Sequence, residues 1–547
     1  MIRIALVLIV GLLCPGVLAA DPAPHPGIRI DSVGYLPRAP KVATIVTNAS
    51  RFAVVRTDTA KIAHTGTLQG PVANPDTGES LWLADFSALE QPGEYRLEVD
   101  GLSASASFRI DPGVYRDPFR VVVRGMYLWR CGTAVQGTHN GQTFAHGPCH
   151  LEDAWLDFVG IPGERLDATG GWHDAGDYNK YVVNAGVTVG AMLRAWEDFE
   201  PAIRQVTLGL PEAGQPMPEF LAELRWELDW LLKMQRTDGS AFHKLSTTNF
   251  GGFMLPDQEK ARRYLTPVGT AATADLVAML AQAARVFRSI DADLAAKYLD
   301  AAKRGRVFLR AHPEDRRPDL AGFSTGGYGT RDPDDRLWAA AEFWETTGDR
   351  EALGELENRL REAQGKVEVD FDWSNVRNLG LITYLRSAQV GRDAALVTLV
   401  QSNLMATADT IVATARKHGY ARPLGDRYYW GCNGSVARQA LPLMAAHRLT
   451  GNAAYRNATL DALHHLFGRN VFGRSFVTGL GHRPPLFPHD RRSGGDKVED
   501  PWPGYLVGGP NPGAADWKDE QKDFRTNEIA INWNGALIYA LAAALAP

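Results

Sequence analysis

The stretch TAATADLVAMLAQAARVFRSI, Thr270–Ile290, carries apolar residues at three- and four-residue spacing with alanine frequent among them, the period of a helix packed against neighbours. The pattern recurs in PEFLAELRWELDWLLKMQ (Pro218–Gln235), ADLAAKYLDAAKRGRVFLRA (Ala292–Ala311), DRLWAAAEFWETTG (Asp335–Gly348), NGSVARQALPLMAAHRLTG (Asn433–Gly451), AAYRNATLDALHHLFG (Ala453–Gly468) and EIAINWNGALIYALAAALA (Glu528–Ala546). With weaker segments this predicts about twelve helices from Val114 onward. Small residues let helices approach closely, and an even number of antiparallel helices joined by alternately short and long loops closes into a two-layered helical barrel. The long loops then gather at one end. They are the segments that concentrate Gly, Pro, Trp, His and Asp, at Gly170–Tyr181, Ser324–Asp335 and Thr478–Pro512.

Upstream the period changes. The short runs KVATIVT (Lys41–Thr47), FAVVRT (Phe52–Thr57) and YRLEVD (Tyr95–Asp100) are separated by the turn material ANPDTGES and EQPGE, which predicts a small antiparallel β-sandwich over residues 25–113. Pro112, Gly113 and Pro118 punctuate the break at IDPGVYRDP, and the helical domain is expected over 114–547. At the start, Arg3, the apolar run IALVLIVGLL and the small residues of VLAA read as a signal peptide, residues 1–20, cleaved near Ala19 or Ala20. The mature chain is therefore expected in the periplasm or outside the cell.

The 547-residue chain is 45% hydrophobic and 22% charged, with a formal net charge of -5 and no long basic run, so nucleic acid and anionic membranes are poor partners. No segment after the leader approaches the roughly 20 continuous apolar residues of a membrane span. A neutral substrate fits better, and nothing calls for an organic cofactor. Oligomeric state is not legible.

Chemistry concentrates in GGWHDAGDYNKY, Gly170–Tyr181, where Asp174 and Asp177 stand three residues apart among Trp172, Tyr178 and Tyr181. Carboxylates beside aromatic rings suit sugars: cleaving a glycosidic bond takes one carboxylate to activate water or attack the anomeric carbon and a second, protonated, to release the leaving oxygen. Glu528 follows a polar turn and is expected to open the last apolar helix, where Ile529 and Trp533 would desolvate it and raise its pKa. The alternative is a glutamate that only complements the helix dipole. In FVTGLGHRPPLFPHDRRSGGD, His489 and Arg491 follow a Pro-rich loop that cannot be helical, able to present donors to hydroxyls or to be ordinary surface. Tyr429 and Trp430 are candidate ring-stacking residues, and Cys432 beside them reads as a small buried residue.

These motifs resemble, in order and spacing, glycoside hydrolase family 9, the inverting cellulases with an (α/α)6 barrel. The likeness runs through RWELDWLLKMQ, DDRLWAAAEFWETTGD, YYWGCNGSV, the GRN of Gly468–Asn470, VTGLGHRPPLFPHDRRS, VGGPN and NEIAINWN, and an immunoglobulin-like sandwich before the barrel resembles one branch of the family. It implies Asp177 as the base that deprotonates the attacking water, Asp174 as its helper, Glu528 as the general acid, and His489 and Arg491 on the sugar at the nonreducing side. Two departures stand out. Gly535 replaces the usual Ala, Ser or Thr, loosening its helix by at most about 1 kcal/mol, and Asp490 replaces a second His.

Cys131, Cys149, His150 and His173 are thiols and imidazoles of the kind zinc prefers, but their spacing fits no common zinc finger, and in an oxidising compartment a Cys131–Cys149 disulfide competes. The resemblance implies a structural zinc at these four positions, bracing the catalytic loop. Thr330, Asp334, Asp335 and Asp372 offer oxygen ligands for calcium, as the family implies, and Asp496 a second calcium ligand; capping or solvation explains the same residues.

The function these features imply is endo-acting hydrolysis of β-1,4-glucosidic bonds in cellulosic chains or cello-oligosaccharides, with inversion. An exo-acting glucosidase or glucosaminidase is the rival within the chemistry, and a noncatalytic saccharide-binding protein the rival outside it.

Overall fold

The computed structural model describes residues 24–546; the leader expected over residues 1–20 lies outside them. The amino-terminal unit is two sheets. Strands β1 (Ile28–Arg29), β2 (Gly34–Tyr35), β3 (Val42–Ile45), β4 (Arg51–Arg56), β5 (Ile62–Thr67), β6 (Gln69–Asn74), β7 (Glu79–Asp85), β8 (Gly93–Val99) and β9 (Phe108–Ile110) pair in the orders β1-β3-β7-β6 and β2-β9-β8-β4-β5. Alternation sets the inward face: Tyr95, Leu97 and Val99 of β8 are buried with Phe52, Val54, Phe86 and Phe108 between the sheets. All pairings are antiparallel except the short β2–β9 contact. The sandwich is fastened to the helical domain. Thr44 donates to Gly419 O at 2.8 Å, Tyr420 OH donates to Glu79 at 2.6 Å, and Ser32 donates to Phe467 O at 2.9 Å.

The remainder is mainly helical, with a few short strands in its loops: α1 (Arg116–Leu128), α2 (Val182–Ile203), α3 (Glu219–Met234), α4 (Thr270–Phe287), α5 (Ala292–Ala311), α6 (Pro333–Thr347), α7 (Arg350–Glu362), α8 (Arg377–Arg386), α9 (Ala394–Lys417), α10 (Cys432–Arg438), α11 (Ala440–Thr450), α12 (Ala453–Leu466), α13 (Arg491–Gly495), α14 (Phe524–Asn527) and α15 (Ile531–Leu545). The inner ring runs α2, α4, α6, α8, then the pair α10–α11, then α15, which packs back on α2 and closes the barrel. Helices α1, α3, α5, α7, α9 and α12 form the outer layer. The expected helix over Asn433–Gly451 is split at Gln439 because Pro442 has no N–H to return to Arg438. α9 is long and apolar enough by length and composition to cross a membrane, with mean hydropathy 1.2; its Leu396, Val400, Leu404, Ala408 and Ile411 face is buried in the outer layer.

Close approach explains the small residues of the inner ring. A Cβ on Gly190 of α2 would lie 2.6 Å from the buried Trp338 ring of α6, and one on Gly535 of α15 would lie 3.1 Å from the Thr188 backbone of α2. The glycine at 535 thus brings α15 against α2, a packing gain set against its poor helix propensity. Gly190→Ala is expected to destabilise the barrel by about 1–3 kcal/mol through overpacking, measured as a lowered urea midpoint with unchanged slope.

Candidate active site

The N-terminal ends of α2, α6 and α15 face one end of the barrel, and the loops before them carry the chemistry. Three chain segments are zipped together there by backbone hydrogen bonds. Ile531 N donates to Asp174 O at 2.9 Å, His489 N to Asn527 O at 2.8 Å, and Arg491 N to Gly176 O at 3.0 Å. Ala175 pairs with Ala530, and His489 with Glu528, as isolated bridges. Gly176 is needed between the two aspartates because a Cβ there would fall 2.0 Å from His489 O. The distant motifs of the sequence are therefore joined by main chain, and Asp174, Asp177 and Glu528 line one cavity of about 390 Å³ with Tyr328, Trp373, Trp430 and Trp533.

Each carboxylate has its own setting. Asn179 Nδ2 donates to Asp177 at 2.5 Å, while Asn179 Oδ1 accepts from Thr247 N at 2.9 Å, so the amide orients the acid. Asp174 accepts from Asn184 Nδ2 at 2.7 Å and from Tyr328 OH at 2.8 Å. Tyr328 sits at φ 44°, a left-handed conformation that a non-glycine residue holds at a cost of about 1–3 kcal/mol, here beside the reacting groups. Glu528 corrects the sequence expectation: it lies in an extended stretch at φ -70°, ψ 159°, three residues before α15 begins at Ile531, so it does not open that helix.

Burial dominates the electrostatics. It pushes Asp174 up to about 8, with the neighbouring Asp177 adding and the Asn184 and Tyr328 hydrogen bonds opposing. Burial also raises Asp177, against Arg491 and Asn179. Glu528 stands well above the usual carboxylate range through burial, then the charges of Asp177 and Asp174, with Arg491 and Trp430 opposing. Three acids around one cavity cannot all ionise. Arg491 and Asn179 favour the charged form of Asp177, while burial and the two aspartates favour the protonated form of Glu528.

His489 Nδ1 lies 2.7 Å from Gln521 O and takes the donor role there; burial lowers its pKa. Arg491 Nε donates to Gly251 O at 3.0 Å. The Pro-rich loop ends at Asp490, which N-caps the short α13 that Arg491 opens and is buried and paired with Arg492. Asp490 thus serves the turn. Trp430 is 49% exposed and lines the cavity. Tyr429 is outside that lining: its hydroxyl donates to Asp370. Cys432 is buried, its thiol donating to Pro510 O. Sequence reasoning singled out neither Phe250, Tyr328 nor Trp373, which line the cavity with Trp533.

Cys131, Cys149, His150 and His173 converge, their ligand atoms all within 4.8 Å of one another, and both thiols are free. Cys131 Sγ lies 3.7 Å from His150 Nδ1, and Cys149 Sγ lies 3.8 Å from His173 Nε2. The donor set fits a structural metal: two sulfurs, two imidazoles, and Glu259 Oε2 at 3.2 Å orienting His150 from its far nitrogen. His173 directly precedes Asp174, and Cys131 N donates to Gly171 O at 2.7 Å, so the cluster is tied to the loop that carries Asp174 and Asp177.

The oxygen-rich set converges less. Thr330 donates to Ser374 O at 3.2 Å and Asp334 accepts from Val376 N at 2.7 Å, which stitches loop 330–335 to loop 370–376. Asp372, however, is already paired with Arg438 at 3.0 Å and accepts from Asn532 at 2.8 Å. Asp335 turns into the barrel, fully buried against Asp275 of α4, because successive helical positions face different sides. Asp496 is engaged by Trp502 Nε1 at 2.7 Å on another loop. Asp335 therefore points away from Thr330, Asp334 and Asp372, and Asp496 stands apart from that set on its own loop.

Residues 115–541 match the family model of glycosyl hydrolase family 9, and residues 23–104 match the cellulase N-terminal ig-like domain. The chain is 52% identical over 518 residues to Endoglucanase D of Acetivibrio thermocellus, covering 94% of this chain and 83% of the relative. It is similar to the crystal structure of a metagenome-derived glycoside hydrolase family 9 endoglucanase, with TM-score 0.89 and 34% identity over 95% of this chain and 99% of that one. It is also similar to a Zn-binding triple mutant of the family 9 endoglucanase J30, with TM-score 0.87 and 33% identity over 93% and 99%. The chain belongs to glycosyl hydrolase family 9, in the form that carries an immunoglobulin-like domain ahead of its (α/α)6 barrel.

Proposed function

We propose that the protein is an endo-1,4-β-glucanase that hydrolyses internal bonds of cellulosic chains or cello-oligosaccharides by single displacement with inversion. The observation that carries this reading is the shared cavity of Asp174, Asp177 and Glu528, stitched by backbone pairing between their segments. Asp177, ionised beside Arg491, takes a proton from water as the water oxygen attacks the anomeric carbon; Asp174 helps to hold that water. Glu528, protonated, delivers its proton to the departing oxygen on the opposite face, the division of labour of inverting enzymes. His489, Arg491 and Trp430 hold the sugar. The test is product analysis on a cello-oligosaccharide ladder: internal cuts giving mixed lengths support the reading, and glucose released singly from one end contradicts endo action.

Zinc is the metal that the Cys131, Cys149, His150 and His173 set would hold, supplying a closed four-coordinate cross-link with no position for water. Calcium would be confined to Thr330, Asp334 and Asp372, in competition with Arg438. The leader at residues 1–20 would direct the protein to the periplasm or the exterior.

The electrostatics make a directional prediction for pH. Rate falls as pH drops through the Asp177 pKa, because the base protonates, and falls as pH rises through the Glu528 pKa, because the acid ionises. Arg491 lowers both. Arg491→Met is therefore expected to move both limbs of the kcat/KM profile to higher pH, whatever it does to amplitude; unmoved limbs would show that Arg491 does not face these acids.

A further inference from the structure

The loop between Ser246 and Tyr264 presents two aromatic rings to solvent that the barrel does not need. Phe250 is 48% exposed and Phe253 38% exposed, whereas Leu245, Thr247 and Arg263 around them are buried. Phe250 lines the same cavity as the three acids. The Arg491 guanidinium lies over the Phe250 ring at 5.3 Å, and the Phe253 ring stands edge-on to His489 at 5.5 Å. Large exposed aromatics beside a polar cleft are surface waiting for a ligand whose own faces are apolar, and the C–H face of a glucosyl ring is such a surface.

The loop contains no helix or strand over residues 247–263, so its position depends on side-chain attachments. These are numerous on its far side. Tyr178 OH donates to Met254 O, Asp257 accepts from Gly147 N at 3.1 Å, Glu259 holds His150, and Arg263 pairs with Asp153 and donates to Cys131 Sγ at 3.0 Å. Gly495 lets α13 press on Met254, where a Cβ would fall 2.4 Å from its backbone. One side of the loop is thus tethered to the Cys/His cluster while the other offers the Phe250 ring to the cleft and the Phe253 ring to solvent beside His489, a preorganised arrangement that limits the ordering cost of binding.

We propose that Phe250 and Phe253 are specificity-determining residues, forming an aromatic platform for the glucosyl units of a β-1,4-glucan that lie beside His489 and Arg491. The proposal rests on the glucanase reading above. Its test uses the full chain in a Glu528→Gln background, with cellotriose and cellohexaose titrated calorimetrically. Phe250→Ala and Phe253→Ala are expected to weaken cellohexaose binding about tenfold each, the loss of one stacked ring, with a smaller effect on cellotriose, no change in melting temperature, and recovery in Phe250→Tyr. Unchanged cellohexaose affinity in both alanine variants overturns the platform. Full turnover in the Glu528→Gln parent would instead sink the acid assignment; the same variants in the wild-type background then decide the platform through KM, a tenfold rise supporting it and no change overturning it.

Discussion

Asp177→Asn is expected to lower kcat on cello-oligosaccharides by roughly 10³-fold or more, within the range supplied by a positioned general base or acid, while leaving oligosaccharide affinity within a few-fold of the parent. Asparagine keeps the size of the side chain and its neighbours Asn179 and Thr247, so the cavity persists and only the proton acceptor is gone. Glu528→Gln should fall comparably on natural substrates, whose leaving oxygen needs a proton. It should recover much of its rate on aryl cellobiosides with acidic phenol leaving groups, which need none. Asp177→Asn should lose rate on both, since water activation is common to them. The contrast separates base from acid in one set of kinetics; equal behaviour of the two variants on the aryl substrates would reverse or erase the assignment.

The second large effect concerns the Cys/His cluster. Cys149→Ala or His173→Ala is expected to destabilise the protein by about 4 kcal/mol, the scale on which loss of a structural metal acts, and to lower the melting temperature by several degrees. The reason lies in what surrounds the cluster. Lys180, Arg263 and Asp153 are buried beside it, with Arg263 donating to Cys131 Sγ, so losing the metal unbalances a cluster of charges held in a dry interior. Metal analysis should find one zinc per chain in the wild type and none in the variants, and a chelator should reproduce the melting shift. A metal-free wild type with a Cys131–Cys149 disulfide, insensitive to chelator, contradicts this account.

Much of the architecture was written in periodicity. Alternation marks the sandwich and three- and four-residue spacing marks the barrel, because both patterns are imposed by burying one face. The carboxylates were visible as motifs, but their meeting was not, since it depends on backbone pairing of residues 174–176, 489–491 and 528–531. Glu528 was misplaced onto a helix because apolar Ile529 and Ala530 lead directly into Ile531 and the apolar pattern of α15, and nothing in side-chain hydrophobicity marks the extended turn before Ile531. Asp335 looked like a twin of Asp334, yet adjacent helical positions diverge and only one faces the loop. Phe250 and Tyr328 sit in glycine-rich loops with no period at all, where the signal is contact with a cleft that only the folded chain defines.

The measurement closest to the central claim is proton NMR of the first products released from a cello-oligosaccharide, recorded before mutarotation. Water activated by Asp177 on the face opposite the bond protonated by Glu528 must give the α-anomer first, with the β-anomer growing in later. Initial accumulation of the β-anomer would mean a covalent intermediate, two displacements, and a different use of these carboxylates.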